Sequence, residues 1–205
     1  MRVETCFLLT GKPRVGKSKA IKRIIQQIGP EYFGGFYTEE IRNSTNRTGF
    51  NCITLKGETV CIASVDSESS VRVGRYGIDI DAFENIALKA VNLSLNTKKI
   101  TVIDEIGFMQ MLSAPFETMI HEVISSSKHI ILGTICVDSH PSIDKIKELS
   151  GIIPYHLSEE NREVITERIN FSYFLFCEHH YSSWFYRILF RDYRHNHKFD
   201  RIKTR

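Results

Sequence analysis

The segment Gly11-Lys12-Pro13-Arg14-Val15-Gly16-Lys17-Ser18 constrains this chain more than any other, because it carries the spacing GxxxxGK[ST]. Glycines in that pattern let backbone N–H groups close around phosphate oxygens, and a helix beginning near Lys17 adds its partial positive end. Lys17 is placed to reach the β- and γ-phosphates, and the Ser18 hydroxyl to ligate Mg²⁺. The flanks fit. Residues 5–10 form an apolar run suited to a buried parallel strand, and Ile21, Ile24, Ile25 and Ile28 recur at helical spacing until Gly29-Pro30 stops them. Strand, glycine loop and helix make one α/β unit.

Further along, residues 35–39, 49–55 and 59–65 read as strands of a β-hairpin or meander inserted after the first helix. Residues 79–93 carry apolar positions at helical spacing. The β-branched run 100–103 then ends in Asp104-Glu105. A helix over 115–125, a buried strand over 129–135, a helix over 142–149, a short strand over 152–156 and a helix over 158–169, capped by Ser158, complete the pattern. Buried strands alternating with helices imply an α/β fold with a mostly parallel sheet and helices on both faces.

In such a sheet a strand parallel to the first delivers Asp104 to the carboxyl edge, beside the phosphate loop. Asp104 there would hold Mg²⁺ with Ser18, and Glu105 would orient or deprotonate an attacking water. A carboxylate directly after the metal-binding aspartate favours hydrolysis over simple binding.

The chain's 205 residues, 42% of them apolar, suit one globular domain with a sizeable core. The net charge of +3 is too small to argue for nucleic acid by itself. Residues 171–205 differ: they hold seven Arg or Lys against three acids and eleven aromatics, half of the chain's total. This extension is expected to be a docked helix with a flexible end. Self-association is second to that reading, and nucleic-acid binding is the least favoured of the three. The oligomeric state is not legible. The five cysteines are scattered with no CxxC pair, so buried free thiols and an intracellular, cytoplasmic setting are expected. The eight histidines show no metal spacing. The N-terminal apolar run is too short for a span or signal, and the apolar stretch after residue 170 is interrupted by charge, so no membrane partner is expected.

Several peptides together resemble one family, the nucleoside-triphosphatases that include the human cancer-related nucleoside-triphosphatase. They are Gly35-Phe36-Tyr37-Thr38-Glu39-Glu40-Ile41-Arg42, Arg47-Thr48-Gly49-Phe50, Arg72-Val73-Gly74-Arg75-Tyr76-Gly77-Ile78-Asp79, Val102-Ile103-Asp104-Glu105-Ile106-Gly107, Ile131-Leu132-Gly133-Thr134-Ile135 and Glu160-Asn161-Arg162. Their order and spacing cover residues 1–170 but not the tail. The resemblance implies a RecA-like P-loop fold and slow, Mg²⁺-dependent hydrolysis of ATP, GTP and other nucleoside triphosphates. Ile106 and Gly107 join the expected nucleotide-binding residues on the same ground. The chain departs from the family at Arg14, where glycine is usual, at Ser18-Lys19 for Thr-Thr, and at Gly107-Phe108-Met109-Gln110 for Gly-Lys-Met-Glu.

Charge developing on the γ-phosphate calls for a second cation. Arg42, Arg47, Arg75 and Arg162 lie in the resembling peptides, and Arg75 is the first choice as a catalytic group. Thr134 ends a buried strand at the ligand edge and is a candidate γ-phosphate sensor, while Asn161 and Arg162 are candidates for the base side. Two other functions stay open: a nucleotide-gated binding protein with little turnover, and a phosphotransferase to a nucleoside or nucleic-acid hydroxyl.

Overall fold

In chain order the strands are β1 (Cys6–Thr10), β2 (Phe33–Asn43), β3 (Asn46–Thr54), β4 (Thr59–Ser64), β5 (Arg72–Val73), β6 (Tyr76–Ile78), β7 (Ile100–Ile106), β8 (Ile130–Ile135) and β9 (Tyr155–His156). The helices are α1 (Lys17–Ile28), α2 (Ile80–Thr97), α3 (Ala114–Ser126), α4 (Pro141–Lys147) and α5 (Arg162–Glu178). The structure is a computed structural model and describes residues 5–44, 46–149, 152 and 154–178. The chain divides into two compact units, Met1–Ile169 and Asn170–Arg205.

The nine strands of the described residues join one sheet in the order β5-β6-β4-β3-β2-β7-β8-β1-β9. The half β2-β7-β8-β1-β9 is parallel, and β2-β3-β4-β6-β5 is antiparallel. The meander expected as an insertion is therefore continuous with the parallel sheet, and β2 is the joint. Its Phe33–Tyr37 half pairs with β7, and its outer half pairs with β3. Gly35 makes the joint feasible: its φ is +101°, and a Cβ there would lie 2.1 Å from the Val102 carbonyl oxygen.

Burial follows the pleat. Cys6 and Leu8 of β1 enter the main hydrophobic core, with Phe83, Ile86 and Val91 of α2 and Phe116, Ile120 and Ile124 of α3. Phe36 of β2, Phe83 and Phe116 meet edge-to-face with centroids 5.1–6.0 Å apart, which ties both helices to the joint strand. α1 packs against β8 through its buried Ala20, Ile21 and Ile24 stripe. Caps set the helix starts. Asp79 accepts the Ala82 N–H at 2.9 Å, and Ser113 accepts that of Phe116 at 3.1 Å.

Two local expectations change. The helix expected from Ser158 begins at Arg162, because Ser158 and Asn161 exchange hydrogen bonds (Ser158 N–H to Asn161 Oδ1, 2.8 Å; Asn161 N–H to Ser158 Oγ, 3.3 Å) and form a turn first. The β5–β6 hairpin stands where no strand was expected, since two- and three-residue strands are too short to leave a periodic signal.

The unit Asn170–Arg205 is described through its first nine residues, which continue α5 to Glu178. The docked, flexible-ended, aromatic and basic tail is an expectation that falls mainly on residues 179–205, outside the described residues. Among the described residues no helix is long and apolar enough to cross a membrane.

The cysteines differ in exposure. Cys6 and Cys52 are buried, and burial pushes the Cys52 thiol up to about 12. Cys61 is exposed. Because the thiolate is the reacting species, an aromatic disulfide reagent at mildly alkaline pH is expected to modify Cys61 quickly and Cys52 only on unfolding. Cys61→Ser should remove one fast equivalent from the titration and Cys52→Ser none. Rapid labelling of Cys52 in the folded protein would contradict this packing.

Candidate nucleotide site

The loop between β1 and α1 is held from both sides. Within it, the Val15 side chain is buried and its N–H donates to the Lys12 carbonyl at 3.4 Å. Gly16 stands at the N-cap of α1 with φ +100° and no side-chain cap, so no side chain competes for the first N–H groups of the helix. A Cβ on Gly16 would lie 2.7 Å from Nη1 of Arg162 and displace that flexible side chain, while the φ of +100° is what favours glycine here. Arg162, first residue of α5, donates to the Val15 carbonyl at 3.3 Å. The Leu157 N–H donates to the Thr10 carbonyl at 2.8 Å, which adds a second brace where β1 enters the loop.

Lys17 Nζ donates to the Gly11 carbonyl at 2.9 Å and reaches that of Lys12 at 3.4 Å. Lys12, Pro13 and Arg14 are exposed on the outer turn. Arg14 takes φ +67°, the left-handed region. Where the resembling family places glycine, this chain thus keeps the backbone shape glycine favours and adds an exposed cation.

Asp104 ends the buried stretch of β7 and is 3% exposed. Its Oδ1 accepts the Thr134 hydroxyl at 2.6 Å, and its carbonyl accepts the Thr38 hydroxyl at 2.7 Å. Oδ2 is buried and has no hydrogen-bond partner among the described residues. The Asp104–Glu105 peptide is cis. Burial pushes the Asp104 carboxyl up, while the Thr134 and Ser18 hydroxyls and then the Lys17 and Lys22 charges oppose the rise. Glu105 is half-buried. Burial raises its carboxyl and the Asp104 charge adds to this; Lys17 pulls it down, and Asp138 contributes a smaller rise.

Lys17, Ser18, Asp104, Glu105 and Thr134 therefore form one electrostatic cluster at the carboxyl edge of the parallel strands. Gly107 lies beside it, with the position of its absent Cβ 3.2 Å from Glu105 Cγ. Ile106 departs from expectation. Its side chain is fully buried in the hydrophobic core and its carbonyl accepts the Cys136 N–H at 3.0 Å, so the side chain supports the strand. Thr134 orients Asp104. Asn161 uses its amide within the chain, accepting from Ser158 and donating to the His156 carbonyl at 3.0 Å, so it shapes the turn that presents Arg162. Arg162 meets the loop backbone at Val15. Arg75 sits in the β5–β6 hairpin, and its guanidinium is committed to the Tyr76 hydroxyl (3.3 Å) and the Arg47 carbonyl.

Thr38 is the site residue that sequence reasoning missed. It lies in a peptide of the family resemblance, but only the register Tyr37↔Asp104 places its hydroxyl on Asp104.

A glycine loop opening a helix, with an Asp-Glu pair at the carboxyl edge of a parallel sheet, defines a P-loop NTPase fold. Residues 6–170 match the family described as NTPase, and the chain belongs to that family. Nucleoside-triphosphatase THEP1 of Thermotoga petrophila is 36% identical over 163 residues, covering 80% of this chain and 89% of that one. The cancer-related nucleoside-triphosphatase homolog of Mus musculus is 30% identical over 168 residues, covering 75% and 88%. The crystal structure of THEP1 from Aquifex aeolicus superposes with a TM-score of 0.74 at 32% identity, over 80% of this chain and 96% of that one. The solution structure of a human cancer-related nucleoside triphosphatase gives 0.67 at 30% identity, over 80% and 94%.

Proposed function

We propose that this protein hydrolyses nucleoside triphosphates, ATP and GTP among them, to the diphosphate and phosphate with Mg²⁺. The observation that carries the reading is Asp104. One carboxylate oxygen is fixed by Thr134, and the other is buried, unpartnered and within electrostatic reach of the Ser18 hydroxyl and Lys17. An orphaned buried carboxylate oxygen near a hydroxyl on the first turn of α1 fits a hard, oxygen-seeking cation. Ser18 and Asp104 would hold Mg²⁺, which when bound neutralises charge on the phosphate oxygens.

The chain's own groups do the rest. Backbone N–H groups of Arg14, Gly16, Lys17 and Ser18, at the loop and the start of α1, receive the phosphates, and Lys17 moves from the loop carbonyls onto the β- and γ-phosphates. Glu105 accepts a proton from water as the water oxygen bonds to the γ-phosphorus. The bond from that phosphorus to the β–γ bridging oxygen breaks, and the diphosphate leaves. These contacts are to phosphates, which supports tolerance of more than one base. The names of the relatives, nucleoside-triphosphatases, support the same reading.

Phosphate release from ATP and from GTP, each with Mg²⁺ and with excess chelator, tests it. Release is expected from both nucleotides with Mg²⁺ and from neither with chelator. Tight nucleotide binding without phosphate release would sink the hydrolase and leave a nucleotide-gated binding protein. Phosphate appearing on an added nucleoside or nucleic-acid hydroxyl would point to a phosphotransferase.

A further inference from the structure

Strand β2 does not stop at the nucleotide site. Thr38 holds the Asp104 carbonyl, and two residues further, about 6.6 Å along an extended strand, Glu40 opens a second polar cluster. Glu40 accepts Arg47 Nη1 at 2.9 Å and Arg42 Nε at 2.9 Å. Arg47 Nε donates to the Tyr76 hydroxyl at 2.8 Å, and Arg75 Nε to the same oxygen at 3.3 Å. The Arg47 guanidinium lies over the Phe50 and Tyr76 rings at 5.0 and 5.5 Å, and that of Arg75 over Tyr76 at 5.3 Å.

Three guanidinium groups thus share one carboxylate and one phenol, an excess of two positive charges, and two of the three lie over aromatic rings. Surface ion pairs contribute little stability, and one arginine would satisfy Glu40. The hydrogen bond from Arg47, and behind it that from Arg75, hold the Tyr76 phenol below its usual range against the effect of burial. Arg47 Nη2, Arg75 Nη1 and Arg42 Nη1 have no hydrogen-bond partner among the described residues. Arg42 and Arg47 remain 43% and 38% exposed. Guanidinium forks fixed by stacking and by a shared acceptor suit the bidentate recognition of phosphate oxygens.

We propose that Arg42, Arg47 and Arg75 form an oxyanion site for a phosphoryl group, carried on β2, the strand whose Thr38 reaches the nucleotide site. The phosphoryl group comes either from free inorganic phosphate or from the far end of a triphosphate held on the loop. Tyr76 and Glu40 position the three forks.

Calorimetric titration of full-length Lys17→Ala with inorganic phosphate tests the first source independently of hydrolysis. One saturable binding event is expected, weakened about tenfold by Arg75→Gln or Arg47→Gln and weakened by added salt. Arg75 is exposed at the turn of its hairpin, so its substitution keeps the test decisive if loss of Arg47 unsettles the fold. The second source rests on the proposed nucleotide reading. There, Arg75→Gln in the otherwise unaltered chain should weaken a non-hydrolysable triphosphate analogue about tenfold and leave the diphosphate unchanged. Phosphate binding absent from Lys17→Ala, or indifferent to both arginine changes, together with unchanged analogue affinity, overturns the proposal.

Discussion

Replacing Lys17 with alanine is expected to lower phosphate release about a thousandfold and to weaken triphosphate binding some ten- to hundredfold. The two losses have separate causes. Binding falls because an ammonium to phosphate hydrogen bond is charge-assisted, worth roughly 1.5–3 kcal/mol. Turnover falls further, because in the proposed reaction Lys17 would meet the γ-phosphate oxygens where charge develops as the leaving group departs. Lys17→Arg is not a rescue, since a planar fork does not fit where a compact ammonium donates to the Gly11 and Lys12 carbonyls. The fold should survive, because Val15, Leu157 and Arg162 hold the loop backbone without the Lys17 side chain. Equilibrium binding of a fluorescent triphosphate, beside a phosphate-release assay and a melting curve, checks all three statements. Turnover within threefold of the wild type would remove Lys17 from the machinery.

That loop and the Asp-Glu pair were readable from the sequence because each is a local pattern with a chemical reason for every residue. Most strands and helices were readable too, through burial on both faces of β1, β7 and β8 and one-sided burial of α1 and α2. What failed to show was whatever depends on register between distant segments. Nothing near Thr38 says that its hydroxyl will meet the Asp104 carbonyl, and nothing near Gly35 says that Val102 will press against it. The sequence likewise presents Asn161 and Arg162 as a polar pair suited to a base. In the fold one builds a turn and the other braces Val15. Arg75 stands between Gly74 and Tyr76 just before a helix, a setting that suits a cation for the γ-phosphate. The hairpin formed there turns its guanidinium toward Tyr76 and Arg47. Arg14 was legible only as a departure, and its left-handed φ explains why glycine suits the position. The change of Lys and Glu to Phe108 and Gln110 also gains a setting: Phe108 packs edge-to-face on His140 at 5.5 Å, and Gln110 is buried.

Glu105→Gln is expected to remove phosphate release by a factor of about a hundred to ten thousand while leaving triphosphate affinity near that of the wild type. In the proposed reaction the adjacent carboxylates Asp104 and Glu105 have divided tasks. Asp104 is locked by the Thr134 hydroxyl with its free oxygen buried, the arrangement of a ligand. Glu105 is half-buried, and burial followed by the Asp104 charge holds its carboxyl above the ordinary range, which makes it a better proton acceptor than a solvated glutamate. A base must be ionised to act, so wild-type release should fall as pH drops through that raised value, at higher pH than for an exposed glutamate. The glutamine variant should lose that acid limb. Stability supplies an independent sign. A carboxyl whose pKa is raised on folding contributes most below its unfolded value and loses that contribution as pH rises through the folded one. At neutral pH the ionised Glu105 therefore opposes folding, and a neutral glutamine of the same shape should hold or raise the melting temperature. Lost turnover with retained binding and an undiminished melting temperature marks a catalytic group. Lost turnover accompanied by a lower melting temperature would make Glu105 structural, and the base would have to be sought elsewhere at the same edge of the sheet.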